Sequence, residues 1–597
     1  MTVAMGEVSD EEHVTGARLG LVVGTLPDAV VRRAIGVIDA SGIVERIAAA
    51  ERARRRGPGG RPRTFPLRAL LVGLLVVATR DDALHLTTVC HVLFQEISAT
   101  MRRELGVPDP PPPDDVLGQE AVYRNVRTRF HALIDLMDPS DTPKNRRLDH
   151  HVFEDLCAQR RAQRSDADRA EAAALLTWVV NQLIEASLQL LPRAHRRAMR
   201  GSLAVDATPV PAFARGEVKP LDASGERHVV RHSADPDAGW YARTTDARDG
   251  GPPVTKSNWA YEATLAVSGD VEHDDADRLP SLVLGMAILH APGAEPGRNG
   301  IRALSSVAER GYSPGYLAAD RAYSSAKAED FQLPARALGW KPVFDYKADQ
   351  LGIQAQAHGL VQVEGSWYCP AMPKALIDAT GDWRAGRIDE ATYATRIAAR
   401  QAYAARPKAS ADAEGHRRYL CPASGSAPTA RCVLKPASEG FDGTTRLRIR
   451  PAADLATHPP AICRQQSVTV APEQGAKFAQ ELPYASGEHR RIYATLRNSI
   501  EGMNGYLKDP AFEALGQAGR RRIRGVAAQS VLVAFQIFAA NVRKIDGFLA
   551  GVAGASAGAL RRRRPRRRTT APLATWRPEP VPPPTPPDTA GRPPPGG

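Results

Sequence analysis

Two short apolar runs that each end on an aspartate constrain this fold more than any other feature of the chain. In "GSLAVDATPVPAF" (201–213) Asp206 follows Leu203, Ala204 and Val205, and in "GYLAADRAYSS" (315–325) Asp320 follows Leu317, Ala318 and Ala319. Runs of this length and composition read as buried strands. A carboxylate set into such a run is costly unless it is neutralised, paired or bound to a cation. If the two runs are neighbours in one sheet, their acids project close together, and like charges that close call for a cation between them.

The surrounding pattern extends the sheet. "AYEATLAVSG" (260–269), "SLVLGMAILH" (281–290) and "KPVFDYK" (341–347) read as further strands and "GIRALSSVAERG" (300–311) as a helix, so 201–347 implies a mixed α/β sheet. Residues 1–107 carry apolar positions at helical spacing and are expected to form a helical N-terminal domain, a candidate for DNA binding. The stiff spacer "PDPPPPDD" opens a linker and helical region over 108–200. Residues 348–487 show poor periodicity and are expected to form an insertion subdomain; helix returns over 488–550; and 551–597 is a basic, Pro-rich tail too poor in apolar residues to fold. A chain of 597 residues favours several structural units.

A third acid stands in "HRRIYATLRNSIEGMNGYLKD" (489–509). Arg497, Glu501 and Lys508 are separated by four and seven residues, which on a helix places them within about 40° of one another, with Tyr493 one turn earlier on the same face. Gly502 and Gly505 sit inside this helix at about 1 kcal/mol each relative to alanine, so the sequence predicts a close approach to the backbone there. Glu488 and Asp509 are neighbouring alternatives for the acid.

With these residues in place the chain resembles the DDE transposases of bacterial insertion sequences, whose catalytic core has a ribonuclease-H-like fold. "LAVDATPV" is similar to the first-strand Asp of that family, "LAADRAYSS" to the Asp ending its fourth strand, and Glu501 to the Glu on a later helix. One subgroup carries Y-x2-R-x3-E-x6-K on that helix; Arg497, Glu501 and Lys508 match its R-x3-E-x6-K part, whereas three residues, not two, separate Tyr493 from Arg497. "SADPDAGWY" (233–241) and the following "WAYEATLAV" also look like segments of such transposases. The resemblance implies a ribonuclease-H-like mixed sheet core flanked by a helical N-terminal region, with an insertion before the last catalytic helix. It further implies that Asp206, Asp320 and Glu501 are catalytic and hold two Mg²⁺ or Mn²⁺ ions. Arg497, Lys508 and Tyr493, with Trp240, Tyr241 and Lys256 from the long connection between the first two strands, would contact DNA. Trp259 of that connection is a further candidate for stacking on a base. The expected activity is binding of terminal inverted repeats, Mg-dependent DNA cleavage and strand transfer. Double-stranded DNA at the transposon ends and target, and a second copy of the chain in a homodimer on DNA, are the expected partners. Two alternatives are an inactive transposase-derived DNA-binding protein and a metal-dependent nuclease without strand transfer.

Bulk properties agree with a polyanionic partner. Lys and Arg number 79 against 66 Asp and Glu, a net charge of +13, of which the run "RRRRPRRR" (561–568) supplies seven positives. The six cysteines are too few for a disulfide scaffold, and no secretory h-region follows the polar N-terminus, so a cytoplasmic protein is expected, which the resemblance implies to be bacterial and nucleoid-associated. "LRALLVGLLVVA" (67–78) is too short to span a bilayer and reads as a buried helix. Cys369, Cys421, Cys432 and Cys463 all fall in the 348–487 segment; two precede proline, and their spacings of 52, 11 and 31 match no compact pair, leaving a structural Zn²⁺ and buried free thiols as the two readings.

Overall fold

The computed structural model describes residues 26–54, 65–222, 224–245, 254–273, 278–440 and 446–556. The chain divides into a unit ending at Phe548 and a second beginning at Leu549; the arginine-rich tail from 557 onward lies outside the described residues. The protein is mixed α/β.

The first unit is organised by a six-stranded sheet: β1 (Leu203–Pro211), β2 (Gly239–Thr245), β3 (Val254–Ser268), β4 (Val283–Met286), β5 (Tyr316–Ala319) and β6 (Lys341–Pro342), in the order β2-β3-β1-β5-β6 with β4 also paired to β3. β1 and β4 both run antiparallel to β3, whereas β5 runs parallel to β1 and β6 parallel to β5. The first half of β1 is buried from Leu203 to Val205 and β5 from Leu317 to Ala319, as expected of continuous apolar runs in a covered parallel pair.

One expectation needs correction. The segment carrying Trp240, Tyr241 and Lys256 is not an irregular connection but a β-hairpin arm, β2 paired with the first half of β3 in the register Trp240↔Trp259, Tyr241↔Asn258 and Arg243↔Lys256. Its sequence supplies the β-branched and aromatic residues that favour strands.

Four helices, α1 (Asp166–Leu188), α2 (Pro296–Glu309), α3 (Gly487–Lys508) and α4 (Val526–Ser556), bear on the sheet. α2 packs on β3 and β4, α1 on β4, and α3 crosses β1, β3 and β5. Ser486 caps α3, its side chain accepting from the His489 N–H, a standard N-terminal stop for orphan amides. α4 is the one helix among the described residues long and apolar enough to cross a membrane, and most of it is buried inside the protein. The helix Leu67–Thr79 is likewise buried almost throughout. Edge strand β4 is closed by side chains: Asn541 of α4 binds both the N–H and C=O of Val283, and Asn181 of α1 binds both groups of Met286, at 2.9–3.0 Å. Two buried amides thereby complete a backbone that has only one strand partner.

Between β6 and α3 the chain builds short strands: β7 (Ile353–Ala357), β8 (Leu360–Val363) and β9 (Ser366–Tyr368) in one sheet; β10 (Arg406–Pro407), β11 (Arg417–Leu420) and β14 (Ser467–Val470) in another; and β12 (Arg431–Cys432) with β13 (Arg448–Ile449) in a third. A separate apolar cluster, including Leu360, Trp367, Ile449 and Ile462, lies among them.

Candidate functional site

Parallel pairing puts the two aspartates side by side. β1 and β5 align Leu203 with Leu317, Ala204 with Ala318 and Val205 with Ala319, so the next residues are Asp206 and Asp320. β5 and β6 align Leu317 with Pro342; continued three residues, that register brings Asp345 beside Asp320. Three carboxylates thus stand abreast on three adjacent parallel chain segments: Asp206 within β1, Asp320 just past β5 and Asp345 three residues past β6.

The three acids have different surroundings. Asp345 is tied up: it accepts hydrogen bonds from Arg321 at 3.0 Å, Arg384 at 3.0 Å and the Tyr484 hydroxyl at 2.6 Å. Despite its burial, these partners hold its carboxyl below the usual range. Asp320 caps the four-residue helix Arg321–Ser324, its side chain accepting from the Arg321 N–H at 2.7 Å. Asp206 is the strained member. Burial raises its pKa to about 6; Arg497 and the Ala207 N–H oppose the rise, whereas Asp320 and Glu501 add to it.

Helix α3 lays its charged stripe over this row. The Arg497 guanidinium lies between two acids, with Nη2 2.8 Å from Glu501 Oε1 and Nη1 3.9 Å from Asp206 Oδ2. Nη1 is buried and has no hydrogen-bond partner. Asn504 donates from Nδ2 to Asp206 Oδ2 at 3.2 Å. It lies within the stripe of Arg497 and Glu501 on a 100° wheel, which is the signal that would have found it in the sequence. Glu501 itself is 58% exposed at its side chain. Lys508 is half-buried; burial lowers its pKa, Asp206 opposes that and Arg243 of the hairpin arm adds to it. Burial pushes the Tyr493 phenol up to about 12, with Asp345 the next cause, and its ring stacks on His489 at 6.0 Å.

Other expected residues fall elsewhere. Trp240 is 48% exposed on β2, against the edge of the Trp259 ring. Trp259 is buried and its indole N–H binds the Asp235 carbonyl at 2.9 Å, a packing role rather than a base platform. Tyr241 is half-buried on β2, and Lys256 occupies the β3 position opposite Arg243. Glu488 is exposed in the first turn of α3, and Asp509 caps the turn after it by accepting from the Ala511 N–H. Gly502 and Gly505 face open space, so no part of the described protein makes the close approach predicted for them. "SADPDAGWY" has a structural part: Asp235 accepts from the Gly525 N–H and Asp237 from the Val526 N–H, anchoring the start of α4.

The donor set of Asp206, Asp320 and Glu501 is all hard oxygen, which suits Mg²⁺ or Mn²⁺. The pKa of Asp206 is raised chiefly by burial, with Arg497 opposing, so the fit to a divalent cation rests on the chemistry of the three carboxylates. They are not drawn together as a closed cage. Among the described residues, the groups of metal-capable side chains within 4.8 Å of one another are His150/Glu154/His232, Asp222/Glu226/His228 and Asp412/Glu414/His416. The positive charge between Asp206 and Glu501 is that of Arg497. Compared with known protein families, curated proteins and solved structures, the chain matches none.

Proposed function

We propose that the chain is a DNA transposase with a ribonuclease-H-like core that binds the terminal inverted repeats of its element, cleaves DNA in the presence of Mg²⁺ and joins the freed 3′ end to target DNA. The observation that carries this reading is the in-register pair Asp206 and Asp320, with the Arg497, Glu501 and Lys508 stripe of α3 laid across it. Counted without the hairpin arm β2, the sheet has its first acid on the first strand and its second at the end of the fourth, which is the order the resemblance requires.

Asp206, Asp320 and Glu501 would hold two divalent cations, which when bound supply activation of the attacking oxygen and stabilisation of the leaving oxygen. Asn504 donates to Oδ2 of Asp206 and the Ala207 N–H to Oδ1, which together fix the orientation of the carboxylate. Arg321 ties the first turn after Asp320 to Asp345, holding the second acid in position. Arg497 and Lys508, with Arg243 nearby, supply positive charge for the DNA phosphates.

Strand cleavage of a matched-end duplex, followed by joining of a pre-cut 3′ end, tests the proposal. Asp206→Ala and Glu501→Gln are expected to reduce both steps by at least about 10³-fold. Cleavage by either variant at the parent rate overturns the assignment. Hydrolysis without joining identifies a nuclease, and end-specific binding in EDTA with no Mg²⁺-dependent cutting identifies a DNA-binding protein.

A further inference from the structure

Four cysteines spread over the segment between β6 and α3 converge on one place. Cys369 follows β9, Cys421 follows β11, Cys432 ends β12 and Cys463 lies on the short helix Ala461–Arg464. All four are buried, unbridged and line a single cavity together with apolar side chains such as Leu434 and Ile449. The other two cysteines, Cys90 and Cys157, lie outside it.

The backbone around these sulfurs is arranged for charge. At Cys369, Cys421 and Cys432 the chain makes a tight turn in which the N–H three residues on binds the cysteine carbonyl: Met372 at 3.0 Å, Ser424 at 2.9 Å and Lys435 at 2.8 Å. Inside two of these turns a backbone amide, that of Ala371 for Cys369 and of Leu434 for Cys432, acts against burial to lower the thiol pKa. Amide donors aimed at sulfur favour the thiolate. Lys435 adds a positive charge that acts on Cys432 and Cys463. Burial, together with the neighbouring cysteines, pushes the Cys369 thiol up to about 12 and the Cys463 thiol to about 11.

The segment has an apolar cluster of its own but little regular structure. Its three sheets are built from strands of two to five residues, and β12 and β13 pair through only two residues each. Strands this short supply few ladder hydrogen bonds, and an ion bound by side chains far apart in sequence ties such a segment together. Soft thiolate ligands in a four-sulfur set select zinc in tetrahedral coordination, and four protein ligands leave no open position, so the site is structural.

We propose that Cys369, Cys421, Cys432 and Cys463 bind one structural zinc ion that holds the segment between β6 and α3 together. No three of the sulfurs stand within 4.8 Å of one another. Zn–S bonds of about 2.3 Å bring tetrahedral ligands to about 3.8 Å apart, so binding draws the cysteines inward by side-chain rotation.

The full-length protein, purified under reducing conditions without chelator, is expected to contain about one zinc per chain by elemental analysis. The Cys421→Ser/Cys463→Ser variant should fall below about 0.2, whereas Cys90→Ser should retain the ion. Because the double variant can fail to fold, thiol titration of the native parent gives a second measure: four thiols should react only after the metal is removed by a strong chelator. Re-adding zinc to the stripped protein should raise its thermal transition. The proposal is overturned by a folded, zinc-free parent whose melting is indifferent to added zinc, by two disulfides linking these cysteines in the native protein, or by iron with inorganic sulfide in place of zinc.

Discussion

Asp206 is ionised at neutral pH against the preference of its surroundings. Its pKa in the folded protein is about 6, above that of an unfolded aspartate near 3.9, so the folded state holds more protons between the two values. Stability from this group therefore falls as pH rises from about 4 to 6 and stays reduced above that, by about 2 to 3 kcal/mol. Asp206→Asn is accordingly expected to raise stability by about 1 to 3 kcal/mol at pH 7.5 in EDTA and to make no difference near pH 4, read by denaturant unfolding at both pH values. In the parent, saturating Mg²⁺ at about 100 times its dissociation constant should recover about 2.7 kcal/mol, and little of that should appear in the variant. Asp206 and Asp320 were legible in the sequence because a charge in an apolar run breaks a local rule. Asp345 repeats the pattern in "PVFD", but what sets it apart is its capture by Arg321, Arg384 and Tyr484. Partners 24, 39 and 139 residues away leave no local trace. Asn504 is less conspicuous for a different reason: it shares the stripe of Arg497 and Glu501, but it is neutral, and its contact with Asp206 is what gives that position significance.

On the scale of elements, α3 carries two glycines whose added Cβ atoms would meet nothing. Gly502→Ala and Gly505→Ala should each stabilise the isolated protein by up to about 1 kcal/mol in thermal or chemical unfolding. If the bare strip of helix serves the DNA-binding reading, the same substitutions should weaken end binding while raising stability, and an electrophoretic binding titration separates the two effects. Strand β4 allows a prediction of the opposite sign. Asn541→Ala leaves the Val283 N–H and C=O without partners in a buried edge and is expected to cost about 2 to 4 kcal/mol in unfolding experiments. The longer helices and the apolar strands of the sheet could be read from periodicity. The hairpin arm could not, because the Gly-Gly-Pro-Pro run at 250–253 that follows Trp240 and Tyr241 reads as loop.

For the molecule as a whole, the net charge of +13 is unevenly carried, with seven arginines in the run at 561–568. On the transposase reading this run adds non-specific phosphate contacts. Removal of 557–597 should therefore lower the slope of log affinity against log salt by up to about 6 while preserving discrimination between end and random sequence, measured by competition binding at several salt concentrations. The region between β6 and α3 was the least legible part of the chain. Strands of two to five residues are shorter than the window over which alternation can be recognised, and their shared core is assembled from residues as far apart as Ala357 and Val470.

The alignment of β1 with β5 carries a penalty for length changes as well as for substitutions. A pleated strand alternates faces with each residue, so one residue gained or lost between Leu203 and Asp206, or between Leu317 and Asp320, turns the acid to the far side while every side chain keeps its identity. Single-codon insertions and deletions in these two stretches should be as damaging as replacing the acids outright. Two-codon changes, which restore the phase but shift the acid along the strand, should leave a folded protein whose carboxylates no longer stand abreast.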